Sequence, residues 1–272
     1  MRILFLGDIV GRAAREAVIA GLPEWRRDWK LDFVVANGEN AAAGFGITRK
    51  IFDALLEAGV DVVTTGNHVF DQKETLSFID ETPRLLRPVN YPEGTPGRGF
   101  GVFEATRGRR VLVVNVMGRV FMPTLDDPFR AVDAVLKRHP MPGTLAAAII
   151  DMHAEATSEK MAMGHWCAGR ASLVVGSHSH VPTADAMILD GGTAYQTDAG
   201  MCGDYDSVIG MDKAEPLRRF LHPFPSGRRF EPALGTPTIC GLVVETDRDG
   251  RALRVDPVRI GGRLQETIPD WL

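Results

Sequence analysis

Side chains that can bind a metal ion follow five short apolar segments of this sequence. They are Asp8 after residues 3–6, Glu39 and Asn40 after 33–36, Asn67 and His68 after 60–64, His153 after 146–150, and His178 and His180 after 173–175. Imidazole, carboxylate and amide ligands without a thiolate suit iron, manganese or zinc better than calcium or magnesium. Two imidazoles on one short loop after a buried strand also suit a metal centre. These residue types indicate metal-dependent chemistry.

Each of these groups has a simpler explanation when it is considered alone. Asp8 is typical of a turn acid that caps the following helix, and Asn67 could bond its own backbone in a loop. His139, His165 and His222 do not follow a strand, and we expect them to be structural residues at or near the surface. The prediction of a metal site therefore depends on all of these polar residues occurring together, in this order along the chain.

The apolar segments have the β-branched composition of strands that are buried on both faces, and residues 111–116 share it. Helical patterns lie between these segments. Thr48 can cap one of them, Arg49–Ala58, and Asp127 precedes another over 128–138, which begins with a proline. This alternation predicts an α/β fold, in which ligands bind at the carboxyl ends of the strands.

The last third of the chain has a different character. Residues 239–245 and 253–260 are predicted to be paired strands around a turn at 247–250. The glycine- and proline-rich residues 87–110 are predicted to be a loop that could include a strand insertion, and 223–237 a long surface loop.

The bulk composition limits the classes of partner. The chain has 272 residues, a formal net charge of -4 and a pI near 6.0. Proteins that bind duplex nucleic acid usually carry a basic face, so we expect no such partner. The chain shows no internal repeat and no linker, and we expect a single domain over residues 1–272.

The cysteines and the apolar runs indicate the compartment. Cys167, Cys202 and Cys240 are odd in number and form no C-x-x-C pair, so a reducing compartment is expected. The first apolar run is too short for a signal peptide, and no run is long enough to span a bilayer. We therefore expect a cytoplasmic protein with no membrane partner. The tryptophans and the arginine-rich loop near Arg228 are candidates for the interface of a homo-oligomer.

The order of these residues resembles the calcineurin-like metallophosphoesterase superfamily. Four longer motifs are similar to its bacterial YmdB-type branch, and the resemblance covers almost the whole chain. The motifs are Gly7-Asp8-Ile9-Val10-Gly11, Asn37-Gly38-Glu39-Asn40-Ala41, Gly66-Asn67-His68 and Asp198-Ala199-Gly200-Met201. The resemblance implies a four-layer αββα sandwich, in which two packed mixed β-sheets are flanked by helices.

The resemblance also implies an activity. Members of this branch are cyclic-nucleotide phosphodiesterases and related phosphatases. It therefore implies a binuclear-metal phosphoesterase that hydrolyses small phosphodiesters, such as 2′,3′- or 3′,5′-cyclic nucleotides, by attack of a metal-bridging hydroxide. The implied cofactors are two transition-metal ions, Fe or Mn, with Zn as an alternative.

A role for each site residue is implied in the same way. The metal ligands divide between two ions: Asp8, Asn40 and His180 for the first, Asn67, His153 and His178 for the second, and Glu39 bridging both. His68 is the implied general acid. The usual Asp-x-His of the superfamily is here Asp8-Ile9-Val10, and its usual bridging Asp is here Glu39. Both departures fit the YmdB-type branch.

Three other interpretations remain open at this stage. The same site could act on phosphomonoesters, as a phosphatase or nucleotidase does. The chain could be a regulatory module that binds metal or nucleotide without turnover. A metal-free nucleotide-binding protein is disfavoured, because no G-x-G-x-x-G follows the first strand.

Three further sites have two interpretations each. Asp71 and Asp151 could accept hydrogen bonds from metal-bound histidines, or could only bond their own loops or cap helices. Residues 197–208 could form a wall of the substrate pocket, or their glycines could only reflect tight loop geometry.

Overall fold

Two six-stranded mixed sheets pack face to face in a computed structural model of the chain, which describes residues 1–222, 224 and 227–272. The strands of the first sheet are, in spatial order, β14 (Ala252–Ile260), β13 (Ile239–Thr246), β1 (Arg2–Leu6), β3 (Phe33–Asn37), β4 (Val62–Thr64) and β5 (Leu85–Leu86). Those of the second sheet are β10 (Met187–Leu189), β11 (Thr193–Gln196), β9 (Leu173–Ser177), β8 (Ala147–His153), β7 (Arg110–Met117) and β6 (Phe100–Glu104). A short parallel pair, β2 (Asp8–Ile9) and β12 (Met201–Cys202), lies beside the first sheet.

The centre of each sheet is parallel. In the first sheet β1, β3, β4 and β5 run in one direction, and in the second sheet β7, β8, β9 and β11 do so. The edges are antiparallel, through β13 and β14 on one sheet and through β6 and β10 on the other. Parallel strands end at a common edge, so the residues that follow them in sequence are brought together there.

Helices cover the outer face of each sheet. They are α1 (Gly11–Asp28), α2 (Arg49–Ala58), α3 (Thr75–Phe78), α4 (Pro128–Arg138) and α5 (Thr157–Cys167). A further helix, α6 (Ala214–Leu221), ends in the largely exposed residues Phe220 and Leu221. Val18 of α1 and Leu55 of α2 pack against the first sheet, and Val132 of α4 and Met163 of α5 pack against the second. The layers are therefore helix, sheet, sheet and helix, which confirms the fold that the resemblance implies.

An apolar core between the two sheets fixes the position of one sheet relative to the other. Phe5 and Val35 of the first sheet share one buried cluster with Val113, Ile149 and Val175 of the second. Each of these side chains is fully buried. β-branched residues suit such strands, because both of their faces are covered.

The local signals of the predicted helices are confirmed. The Thr48 side chain accepts a hydrogen bond from the Ile51 amide at 3.3 Å, which caps the start of α2. Asp127 caps α4 by accepting from the amides of Phe129 and Arg130 at 2.9 and 3.1 Å.

The strand insertion that 87–110 could include is confirmed. The 87–110 segment contains β6, which pairs antiparallel with β7 at the edge of the second sheet. Of the predicted loop 223–237, residues 223, 225 and 226 lie outside the described residues. The described remainder contains no helix or strand, and Pro232 forms an isolated β-bridge with Met211. The paired C-terminal strands are confirmed as β13 and β14, and β13 adds to the first sheet beside β1.

Two observations bear on the compartment predictions. Cys167, Cys202 and Cys240 are buried free thiols. Among the residues that the structure describes, no helix has both the length and the apolar character to cross a membrane.

We expect the inter-sheet core to dominate stability. Ile149 is fully buried in β8, and Ile149→Ala should lower the free energy of unfolding by about 2–5 kcal/mol, because it leaves a cavity between the sheets. Ile188 in β10 of the same sheet is 42% exposed, and Ile188→Ala should cost about 1 kcal/mol or less. Urea denaturation of the two variants measures the difference. Similar losses in both would contradict this assignment of the core.

Candidate metal centre

The predicted site residues follow the strands that end at one edge of the two sheets. Asp8 follows β1 and Glu39 follows β3, both in the first sheet. His153 is the last residue of β8, and His178 follows β9 in the second sheet. Asp8, Glu39 and His153 are almost completely buried. The packing of the two sheets therefore brings acids from one sheet next to imidazoles from the other.

His153 is at the centre of the cluster. Its Nε2 atom lies 3.1 Å from Glu39 Oε1, 3.0 Å from Asn67 Oδ1 and 3.1 Å from His178 Nδ1. The ligand atoms of Glu39, His153 and His178 all lie within 4.8 Å of one another. A carboxylate, an amide oxygen and two imidazoles at such spacing form a donor set that could hold a transition-metal ion.

Asp8 and His180 border this cluster. The Asp8 carboxylate accepts hydrogen bonds from the His178 amide at 3.2 and 3.3 Å, and its Oδ1 lies 4.0 Å from His153 Nδ1. The Nδ1 atom of His180 is 2.8 Å from the Ile209 carbonyl oxygen. A carbonyl can only accept, so Nδ1 of His180 carries the proton and its Nε2 keeps a lone pair for a ligand.

Asn40 provides an independent test of whether a cation fits. Its Nδ2 donates to the Gly44 carbonyl at 2.9 Å, but its buried Oδ1 has no hydrogen-bond partner among the described residues. A buried polar atom without a partner costs roughly 1–3 kcal/mol, so such atoms call for an explanation. Coordination of a metal ion would satisfy this oxygen, and the residues present therefore fit the implied cofactor.

Gly66 is required by the closeness of the donors. A Cβ atom at this position would lie 2.2 Å from the His153 ring and 2.5 Å from Glu39 Oε2. Any side chain here would push the imidazole and the carboxylate apart. The glycine of the Gly66-Asn67-His68 motif thus allows His153 and Glu39 to approach each other closely.

The electrostatics of the cluster favour positive charge. Burial alone would raise the pKa of Glu39, but the charge and hydrogen bond of His153 lower it to about 2. Burial alone would lower the pKa of His153, but Glu39, Asp8 and Asp151 raise it to about 9. Burial and the neighbouring His153 lower the pKa of His178 to about 3. The acids around His153 therefore stabilise a cation at the centre of the cluster.

His68 borders the cluster and is held from two sides. Its backbone amide donates to Glu39 Oε2 at 3.0 Å, and its ring Nδ1 lies 2.7 Å from Asp71 Oδ2. The ring also contacts Phe45 edge-on, with centroids 5.1 Å apart. Asp71 thus bonds a residue of its own loop, as the second of its two interpretations has it, and that residue is the implied acid rather than an implied metal ligand.

Asp151 acts through an intermediate residue. It does not bond His153 directly: Ser177 Oγ donates to Asp151 Oδ1 at 2.6 Å and lies 2.9 Å from His153 Nδ1. Thr64 Oγ1 and Asn37 Nδ2 also donate to Asp151, at 2.5 and 3.2 Å. This buried network fixes the His153 ring so that Nε2 faces Glu39. The sequence gives no signal for Ser177, because the contact joins two neighbouring strands.

A buried ion pair supports the histidine loop. Lys160 Nζ donates to Asp198 Oδ2 at 2.7 Å, and both side chains are almost completely buried. Asp198 also accepts from the Ser179 amide at 3.1 Å. The residues on either side of Ser179, His178 and His180, have φ angles of +94° and +65°, which non-glycine residues rarely adopt. Asp198 therefore holds a strained loop in the conformation that presents both imidazoles.

Sequence reasoning missed two contributors to this site. Lys160 gives no local signal, since one lysine on a helix is normally solvated. Glu155, with Oε2 at 3.2 Å from His178 Nε2, is half exposed on the loop that follows β8. Of residues 197–208, Val208 lines the cleft beside the cluster and Asp198 supports the histidine loop, and a role of the segment as a wall of the substrate pocket stays a prediction.

The comparisons with known proteins agree with this architecture. The model of the YmdB-like protein family matches residues 4–258. The chain is 46% identical over 265 residues to the 2′,3′-cyclic-nucleotide 2′-phosphodiesterase of Bacillus subtilis (strain 168), covering 96% of this chain and 97% of that protein.

Two solved structures share the fold. A hypothetical protein from Thermus thermophilus has 45% identity and a TM-score of 0.88, with 96% of this chain and 99% of that one covered. A phosphatase from Mycoplasma pneumoniae has 31% identity and a TM-score of 0.88, with 96% and 93% covered. With a family match over nearly the whole chain and a relative at 46% identity, this protein belongs to the YmdB-like protein family.

Proposed function

We propose that this chain is a metal-dependent phosphodiesterase that hydrolyses small phosphodiesters, with 2′,3′- or 3′,5′-cyclic nucleotides as the substrate class. The observation that carries the proposal is the convergence of Glu39, Asn67 and His178 on His153 Nε2 at 3.0–3.1 Å. The Bacillus subtilis relative, named as a 2′,3′-cyclic-nucleotide 2′-phosphodiesterase, supports the substrate class.

The proposed cofactor is a pair of transition-metal ions, Fe or Mn, with Zn as the alternative. Nitrogen and oxygen donors without a thiolate support this choice. Asp8, Asn40 and His180 would hold one ion and Asn67, His153 and His178 the other. When bound, such ions generate hydroxide near neutral pH and neutralise charge on the phosphoryl oxygens.

Glu39 is the proposed bridge between the two groups of ligands. Its Oε1 approaches His153 Nε2 at 3.1 Å, while its Oε2 accepts from the His68 amide at 3.0 Å. This second contact fixes the plane of the carboxylate and ties it to the backbone of the proposed acid. The charge and hydrogen bond of His153 lower the pKa of Glu39 to about 2, so the carboxylate is ionised before an ion binds. Ligation would require neutral His153, and the charge of the ion would then replace that of the imidazolium.

His68 is the proposed general acid. Asp71 accepts the Nδ1 proton of His68, which orients the ring. Nε2 can then carry the proton that a departing alkoxide needs. A nucleoside alkoxide is a strong base, so this proton transfer should matter most for natural substrates.

A phosphomonoesterase activity on the same site is the second candidate. It is favoured by the structural similarity to a protein described as a phosphatase from Mycoplasma pneumoniae. Assays of a cyclic mononucleotide and of its monophosphate product, run side by side, distinguish the two. Release of inorganic phosphate from the monophosphate, at a rate comparable to hydrolysis of the cyclic mononucleotide, would favour the phosphatase.

Removal of the bridging charge tests the metal dependence of the reaction. We expect Glu39→Gln to weaken metal binding by at least roughly 10-fold and, at limiting metal, to slow hydrolysis of 2′,3′-cyclic AMP by at least the same factor. Elemental analysis after dialysis and an assay with added Mn²⁺ measure the two effects. Glu57→Gln, at an exposed position on α2, is the matched control and should keep both. Full activity of metal-depleted wild-type protein would refute the proposal.

The acid role of His68 makes a separate prediction about leaving groups. His68→Asn should slow hydrolysis of a cyclic nucleotide by about 10²–10⁴-fold, because the alkoxide then leaves without a proton. A p-nitrophenyl phosphodiester should be slowed much less, since p-nitrophenolate needs no proton, and metal content should not change. His165→Asn, at an exposed position on α5, should match wild type. Equal slowing of both substrates would remove His68 from this role.

A further inference from the structure

The cleft next to the metal centre has a polar side and an apolar side. Its volume is about 360 Å³, within the usual range for small-molecule sites. Glu39, Asn40, His68, His178 and His180 line the polar side. The apolar side, which we call the apolar wall, adjoins it and consists of Phe45, Ile209, Met211, Pro216, Phe220 and Phe230. A phosphoryl group suits only the first side, so the wall must serve another part of the ligand.

The apolar wall is joined to the residues of the metal centre. The Ile209 carbonyl accepts a hydrogen bond from His180 Nδ1 at 2.8 Å, and the Phe45 ring packs edge-on against His68. Met211 packs in one buried cluster with Val10, against which Phe45 and Phe230 also lie. The apolar wall therefore packs against a buried cluster, and it contacts the site residues His68 and His180 directly.

The outer part of the apolar wall is exposed. Phe220 on α6 is 84% exposed and Ile209 is 55% exposed. Next to them the Arg219 guanidinium lies 3.9 Å from the centroid of the Phe230 ring, and its Nε bonds Glu215 Oε1 at 2.8 Å. Its charge is shared with Glu215, so Arg219 adds a flat stacking surface to the wall. Exposed apolar surface rimmed by polar groups marks a binding site.

We propose that the apolar wall binds the nucleobase of the substrate by stacking. The inference rests on the proposed function, because it assumes that the scissile phosphodiester lies on the polar side of the cleft. The base of a cyclic nucleotide is planar and joined to the phosphoryl group through one sugar, so it reaches the adjacent wall. Stacking on aromatic side chains is tolerant of base identity, since every base has a π-face. The wall therefore selects nucleotides over base-free phosphodiesters and discriminates little among the bases.

Phe220 is the residue that tests this inference, because its exposure makes a folding defect unexpected. We expect Phe220→Ala to raise KM for 2′,3′-cyclic AMP by about 5- to 100-fold, from the stacking that is lost. KM for the base-free glycerol 1,2-cyclic phosphate should not change, and Phe220→Trp should restore KM for the nucleotide. Leu221→Ala is the matched control, since Leu221 is 72% exposed on the same helix but does not line the cleft.

The outcomes separate this inference from the proposed function. If metal-loaded wild type hydrolyses neither substrate, the proposed function fails. If it hydrolyses both and Phe220→Ala changes their KM values equally or not at all, the nucleobase site is refuted while the function stands. Sedimentation of both proteins is measured alongside. A wild-type dimer that Phe220→Ala dissociates, with KM unchanged, would show that the wall covers a second copy of the chain and would overturn the inference.

Discussion

The close approach of Glu39, Asn67 and His178 to His153 is the contact on which the rest of the site depends. It brings a carboxylate, an amide oxygen and a second imidazole to 3.0–3.1 Å from Nε2 of His153, a side chain that is fully buried. Such a group is costly to bury unless positive charge compensates the oxygens. The two sheets supply its members from opposite layers, so the inter-sheet core determines the geometry of the candidate metal centre.

The backbone around the cluster is adapted to this crowding. A Cβ atom at Gly7 would lie 1.7 Å from the Gly200 carbonyl oxygen, and one at Gly176 would lie 1.7 Å from that of Thr197. The 197–200 segment can therefore pack against the ends of β1 and β9 only because glycine stands at both places. Asp198 in this segment, neutralised by Lys160, then fixes the histidine loop. The packing of the 197–200 segment therefore contributes both to the stability of the fold and to the position of the histidine loop.

Sequence reasoning succeeded where the signal is local. A buried strand followed by a polar residue predicts a position at the sheet edge, and Asp8, Glu39 and His153 all lie there. It was less informative where the contact is made between distant segments. The apolar wall joins Phe45 to residues on α6, and Asp151 reaches His153 only through Ser177. Neither arrangement has a periodic pattern in the sequence.

Helix α1 illustrates the same limit. It is a long helix, Gly11–Asp28, yet it begins at a glycine with φ of +71°, has no side-chain cap and contains Pro23. Each feature argues locally against a helix. Burial of Val18 and Leu22 against the first sheet outweighs these local preferences. Tertiary packing, which one sequence does not display, decides this element.

Anomalous scattering from a crystal soaked in manganese tests the central claim most directly. We predict one manganese peak at roughly 2.0–2.2 Å from Glu39, Asn67, His153 and His178 donor atoms. A second peak should lie about 3.5–4 Å away, toward Asp8 and His180. A crystal in which Glu39 and His178 point into separate regions, with no manganese between them, would contradict this claim.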